Sequence, residues 1–255
     1  MPAPAWDARS YDRISGPHAA MGASALERLE LRGAERVLDA GCGSGRLTEQ
    51  LIERLPSGSA VALDGSADML DEARRRLERF GDRVTYVRAD LGRPPLPVEG
   101  GVDAVLSTAT FHWITDHDAL FAGLAGVLRP GGQLSAQCAG EGNASAVIEA
   151  VRAEGVETRS RFTFSNPDET SERLVRAGFE HVRVWLTPAP VHFDSEAELI
   201  EYIITPYLRP ASGLPEMELQ RLARAAAARL DGRAIHYVRL DIDARRAWVA
   251  GVAPA

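Results

Sequence analysis

Four acids or bases and a run of glycines carry the chemistry this chain can offer. Asp39 ends a short apolar run, Val37-Leu38, and Gly41, Gly43 and Gly45 follow on alternate positions, with an amphipathic helix pattern next. That is a strand, a tight turn and a helix N-terminus. Such a turn lets backbone approach a ligand closely and aims free N–H groups at it. Asp64 lies nineteen residues after Gly45, at the end of a second apolar run. An acid there can accept hydrogen bonds from two ribose hydroxyls, or serve as a helix N-cap. Asp90 follows a third run and can read a ligand amine or close a turn. His112 sits in Phe111-His112-Trp113 after a fourth run, where it can act as a base near neutral pH or pack beside the indole.

The spacing excludes two common phosphate binders. A dinucleotide fingerprint needs a third glycine or alanine where this chain has Arg46, and no Gly-Lys-Ser/Thr follows for a Walker loop.

The elements that would hold these residues alternate strand and helix. Strands are expected near Arg36, Ala60–Leu63, Val84–Val87, Val102–Leu106, Gln133–Cys138, Val182–Leu186 and His236–Ile242. Helices are expected over Ala19–Leu31, from Leu47 to Leu55, from Gly65-Ser66 to Phe80, over Asp116–Leu128, Asn143–Gly155 and Asp168–Ala177. Helices between strands imply parallel pairing with right-handed crossovers. Some fifty residues, Thr187 to Arg233, separate the last two strands and read as a helical cap over the open end of the sheet. The Arg74-Arg75-Arg76 run points three ways on a helix and reads as a solvated face.

Composition fits this picture. The 255 residues are 45% hydrophobic and 25% charged, which suits one soluble core. A net charge of −7 disfavours a nucleic-acid backbone or an anionic membrane as the main partner. No apolar run approaches the length of a membrane span, and the N-terminus lacks the pattern of a signal peptide. Cys42 and Cys138 are too few and too scattered for zinc or a disulfide scaffold. Two small buried thiols in a reducing cytoplasm are expected, in a monomer or a homodimer.

The stretch Asp39-Ala40-Gly41-Cys42-Gly43-Ser44-Gly45 resembles motif I of the class I S-adenosylmethionine (SAM)-dependent methyltransferases. The resemblance implies an α/β fold: a Rossmann-like, seven-stranded, mostly parallel sheet with an antiparallel last strand, helices on both faces and a small helical cap. It implies an N-terminal arm and helix at 1–32, a SAM-binding core at 33–187, the cap at 188–233, and the last strand and tail at 234–255. It places Asp39, Gly41, Gly43, Gly45, Asp64, Gly65, Met69, Asp90, Leu91 and Thr108 around SAM and its product S-adenosylhomocysteine (SAH). Asp64 would meet the ribose and Asp90 the adenine amine. Met69 would pack on the ring, unless it is a core methionine.

The stretch Ser107 to Ile114 lacks the Asn/Asp-Pro-Pro-aromatic motif of enzymes that methylate amino groups on DNA bases or protein glutamine. Phe111-His112-Trp113 and Arg176-Ala177-Gly178-Phe179 are similar to the small-molecule branch that holds the trans-aconitate and juvenile-hormone-acid methyltransferases. This implies a small-molecule acceptor, with a carboxylate or hydroxyl oxygen favoured. His112 and Tyr11 are the catalytic candidates, His112 for an acceptor that must lose a proton. Tyr11 and Trp6 resemble an arm that closes over SAM, or anchor a loose terminus. Arg209 and Arg239 are candidates for a carboxylate clamp, or ordinary surface arginines. Methylation at nitrogen, carbon or an acyl-carrier thioester, an NAD-type oxidoreductase and a non-catalytic SAM-binding domain remain as alternatives.

Overall fold

The computed structural model describes residues 16–156, 162–209 and 213–248, with backbone alone for 16–21. Tyr11 and Trp6 lie outside the described residues. The chain runs α1 (Gly16–Glu27), β1 (Arg36–Ala40), α2 (Arg46–Glu53), β2 (Ser59–Asp64), α3 (Ala67–Leu77), β3 (Val84–Arg88) and β4 (Val102–Thr108). A 3-10 turn (Phe111–Trp113), α4 (His117–Val127), β5 (Leu128–Ala139), α5 (Ser145–Ala153), α6 (Pro167–Arg176) and β6 (Phe179–Pro188) follow. Then come β7 (Val191–His192), α7 (Glu196–Ile203), a π turn (Ile204–Leu208), α8 (Glu216–Ala227), β8 (Ala234–Ile235) and β9 (Val238–Arg246).

Seven strands form one sheet in the order β3-β2-β1-β4-β5-β9-β6. β3, β2, β1, β4 and β5 pair in parallel, and β9 inserts antiparallel between β5 and β6. This is the seven-stranded arrangement the sequence implied. The central strands β1, β2 and β4 are largely apolar on both sides because both faces are covered. Along β1, Val37 packs with residues of α1, α2 and α3, while Leu38 packs with residues of α4 and α6. The extra pair β7–β8 forms a two-stranded ladder that the sequence did not signal, each strand being two residues long.

Local chemistry sets the helix starts. Ser66, Asp116, Asn166 and Ser195 each accept a backbone N–H from the first turn of α3, α4, α6 and α7. Helix α2 has no side-chain cap and begins at Gly45, whose φ of 81° is left-handed. A Cβ at Gly45 would stand 3.1 Å from the Ala73 methyl and from Leu77, so glycine also lets α2 and α3 approach closely.

A second, smaller core joins α5, α7, the π turn and α8 through Val147, Val151, Ile203, Leu208, Leu222 and Ala226. Helix α5 therefore packs with the helices that follow β6, although the expected division at residue 188 groups it with the sheet. Its moderate apolar stripe looks like any crossover helix, and only tertiary packing assigns it.

Polar pairing stitches α1 to the last strand. Asp241 is fully buried, yet it accepts from Arg28 Nη1 at 3.1 Å, Thr187 Oγ1 at 2.8 Å and Arg239 Nε at 2.7 Å. Arg28 also reaches Asp243 at 2.7 Å and the Ala136 carbonyl at 2.8 Å. Removing the shared acceptor leaves two arginines without it in a poorly solvated place. Asp241→Ala is expected to lower stability by about 3 kcal/mol, read as a shift of the urea midpoint at constant slope.

Candidate functional site

The tips of β2, β1, β4 and β5 form one edge, and their functional side chains share a face. Ala60 and Ala62, Val37, and Ala104 and Leu106 all belong to the core beneath α1, α2 and α3. Strand alternation then puts Asp64, Asp39 and Thr108 on that same face. Asp39 is 1% exposed and accepts a hydrogen bond from Thr48 Oγ1 at 2.6 Å. Among the described residues no basic side chain pairs with it. Burial, opposed by the Thr48 bond and reinforced by the nearby Asp64 charge, pushes its carboxyl up to about 7. It is a carboxylate arranged to welcome a cation.

Asp64 ties the glycine turn to the next helix. Its Oδ2 accepts from the Gly43 N–H at 2.9 Å and its Oδ1 from the Ser66 N–H at 2.8 Å. Ser66 is the N-cap of α3, so capping is not the task of Asp64. Each carboxylate oxygen retains acceptor capacity for a hydroxyl. Burial raises the Asp64 carboxyl, against the pull of the N–H groups of Ser66, Gly43 and Gly65.

The glycine turn differs from the expectation of free N–H groups. Gly41 and Cys42 both donate to the Leu63 carbonyl, Gly43 donates to Asp64 and Gly45 to the Cys42 carbonyl. What the turn offers is room. Gly43 has a φ of 53°, and a Cβ placed there would meet nothing within 4 Å. Gly41 is covered instead by Thr110, whose hydroxyl bonds the Thr108 carbonyl at 2.8 Å and the Gly41 carbonyl at 3.3 Å. A loop with most donors engaged is a poor pyrophosphate cradle. An open floor beside the buried Asp39 and the partly buried Asp64 suits an adenosyl group with a cationic tail, so the residues present fit SAM.

The remaining expected residues fall in two groups. Met69 is buried in the first turn of α3, next to Asp64 through Gly65 and Ser66. Thr108 ends β4, with Gly22 of α1 against it. Asp90 is exposed, closes a turn by accepting the Gly92 N–H at 2.9 Å and pairs with Arg93 at 3.4 Å. Leu91 places its side chain in the sheet core, which leaves only its backbone for a ligand. Arg209 is exposed and paired with Glu216 at 2.9 Å, whereas Arg239 lies on β9 and is mostly buried.

His112 bears on the expected base role through its hydrogen bond. The Ala139 N–H donates to its Nδ1 at 3.2 Å, which fixes the neutral ring with the proton on Nε2. In that tautomer the Nδ1 lone pair is engaged and Nε2–H is the donor the ring presents. It belongs to a group of rings with Trp113, Phe162 and Phe164 at centroid distances of 5.2, 6.3 and 6.3 Å. Phe162 in turn meets Tyr207 of the π turn at 5.6 Å, so this group joins the sheet edge to the cap core. His117 is a structural histidine. It holds the Phe111 carbonyl at 3.0 Å and the Ser165 hydroxyl at 3.2 Å, and desolvation lowers its pKa.

Three contributors escaped sequence reading. Thr48 is an ordinary helix residue until its contact with Asp39 is seen. Thr110 is one of several hydroxyls in a polar run. Gln137 is 1% exposed on β5, and neither its amide oxygen nor its nitrogen has a hydrogen-bond partner among the described residues. Leaving such groups unpaired costs about 1–3 kcal/mol each.

The raised Asp39 carboxyl has a pH signature. Folding favours its neutral form, so its contribution to ligand-free stability is full below about 3.8 and is lost as pH rises through about 7. A cationic ligand favours the opposite form. SAH affinity measured by calorimetry is expected to rise from about pH 6 and level off near pH 7.5, and to be weaker and flat in Asp39→Asn. Asp64→Ala is expected to weaken the same binding by about 1–3 kcal/mol.

Comparison with known proteins agrees with this geometry. A family model described as a methyltransferase domain matches residues 37–132, which span β1 to the start of β5. The trans-aconitate 2-methyltransferase of Methylobacterium nodulans is 30% identical over 266 residues, covering 94% of this chain and 98% of the relative. Among solved structures, the YcgJ protein of Bacillus subtilis superposes with a TM-score of 0.67 at 15% identity, covering 91% of this chain and all of that one. The phosphoethanolamine N-methyltransferase 2 of Haemonchus contortus, in complex with phosphomonomethylethanolamine and SAH, gives 0.65 at 19%, covering 94% of this chain and 57% of that one. The two structures speak for the fold, and the full-length relative for the family: the chain belongs to the class I SAM-dependent methyltransferases, in the branch that includes the trans-aconitate 2-methyltransferases.

Proposed function

We propose that this methyltransferase esterifies a carboxylate oxygen of a small organic acid, with trans-aconitate or an acid of similar size and unsaturation as the acceptor. The observation that carries the reading is the full-length likeness to a trans-aconitate 2-methyltransferase. The set of His112 supports it. A carboxylate is already ionised at neutral pH and needs no base, and His112 at this edge has its Nδ1 engaged by the Ala139 N–H. The rings of Trp113, Phe162 and Phe164 suit a flat, conjugated carbon skeleton.

In this reading Asp64 accepts from the ribose hydroxyls and Gly65 and Met69 border the adenine. Asp90 and the Leu91 backbone serve the far edge of the ring. Asp39 and Thr108 face the methionine end, and Gly43 supplies the open floor. Bound SAM supplies an electrophilic methyl group on a sulfonium. The protein's part is to hold two reactants in line and keep water out, since displacement at that carbon needs positioning more than proton transfer.

Among the described residues no helix is long and apolar enough to cross a membrane. Cys42 and Cys138 are free and buried, with the Cys138 thiol pushed up to about 12 by burial. Unoxidised buried thiols suit the reducing cytoplasm, where we place the enzyme.

The test is incubation with labelled SAM and a panel containing trans-aconitate, other small acids, phenols and amines. The expected product is an alkali-labile methyl ester; an alkali-stable methyl group would overturn the reading. His112→Asn is expected to retain activity within about tenfold. Loss of the ~10²–10⁴-fold typical of a missing general base would instead indicate an acceptor that must be deprotonated.

A further inference from the structure

The cofactor residues occupy the sheet edge in order: Asp90 after β3, Asp64 on β2, Asp39 on β1, Thr108 on β4. The next strand is β5, and the residue directly opposite Thr108 there is Gln137. The residue opposite Gln137 on β9 is Asp241. Directly opposite residues share a face. That face is the one under α1, because Ser135, two residues before Gln137, donates to the Ala25 carbonyl at 2.7 Å, and Arg28 binds Asp241. Gln137 is thus the first buried polar side chain beyond the cofactor tips on the cofactor's own face.

Among the described residues its amide has no partner for either atom, at 1% exposure. Beside it, Arg239 is anchored by Nε to Asp241 Oδ2 at 2.7 Å, and its two terminal nitrogens have no partner among the described residues. The local charge favours an acid. Arg28, Arg239 and Arg183 stand against Asp241 and Asp243, a surplus of one positive charge.

The geometry points to Gln137 and Arg239 as the acceptor-carboxylate site, with Gln137 as the specificity-determining residue. An unpaired amide needs one acceptor and one donor. A carboxylate oxygen takes the N–H, and a hydroxyl or a water carried in with the acid serves the amide oxygen. Arg239 presents the outer end of its guanidinium to a second carboxylate. Asp241, which Arg28 and Thr187 also hold, fixes the arginine so that little freedom is lost on binding. This assignment rests on the carboxylate reading of the acceptor.

The test uses Gln137→Met, close in volume and without hydrogen-bonding groups, and Arg239→Gln. Four measurements are made: melting temperature, SAH affinity by calorimetry, trans-aconitate binding to the SAH-loaded protein, and initial rates with trans-aconitate and the acid panel. In Gln137→Met, KM for the acid is expected to rise by about tenfold or more, with SAH affinity and kcat little changed and melting temperature equal or higher. Arg239→Gln is expected to weaken acids with two or three carboxylates more than those with one. A Gln137→Met enzyme whose KM and acid binding match the wild type would overturn the assignment while leaving the carboxylate reading intact. A wild-type enzyme that esterifies no acid on the panel would overturn the carboxylate reading, and this assignment with it. A lower melting temperature with unchanged KM would make Gln137 a packing residue.

Discussion

A carboxyl group held out of water at the tip of the central strand is the constraint on which the rest of this structure turns. Asp39 has one neutral donor, Thr48, and a second acid nearby, Asp64. Nothing in that arrangement favours a filled negative charge until a cation arrives. The surrounding parts follow from the need to keep it so. The β1 tip is buried under α2, the turn is glycine so that a ligand can lie on it, and the N–H groups of the turn are tied back into the protein. A helix N-terminus that bared its donors would attract an anion. Here the donors are mostly engaged, which leaves little to attract an anion.

The same edge continues past the cofactor tips without a break in face or level. Parallel pairing from β2 to β5 keeps neighbouring residues aligned, so functional groups can be ordered along the edge like stops on a ruler. The antiparallel β9 then brings Arg239 and Asp241 to the same height from the far side of the chain. Ions that would be awkward alone are acceptable there because each has a partner, as Arg28 and Thr187 do for Asp241.

What could be read from sequence was what local chemistry dictates. Glycines at alternate positions, an acid after each of the first three apolar runs, and the 2-versus-3.6 periodicity gave the strands, most helices and the sheet class. Ser66 and Asp116 announced their helices by type and position. The missing parts were set by contacts far apart in the chain. Gln137 is one polar residue in an apolar strand, which marks it as odd but does not say why. Thr48 matters only because β1 ends beside it. His112 was legible as a site-edge residue, but the Ala139 N–H that engages its Nδ1 comes from β5. Helix α5 has an apolar face that fits either core, and the choice is made by α7 and α8 rather than by its own residues. Tyr11 lies in a segment outside the described residues and keeps its place as an expectation.

The position of β9 also has a bearing on how the chain is made. β6 is finished about 50 residues before β9 begins, yet in the folded sheet its partner is β9. While a ribosome is still producing the cap, β1 to β4 have all their neighbours, β5 still lacks β9 on one side and β6 has no partner strand. A nascent chain at this stage carries an unsatisfied strand bearing Val182, Val184 and Leu186, a template for pairing with another copy. Arg183, Glu180 and His181 punctuate that strand with polar groups, which is how edge strands commonly discourage such encounters. Slow synthesis through the cap would lengthen this exposed interval, and the sheet closes only when the last long strand slides between two that were already there.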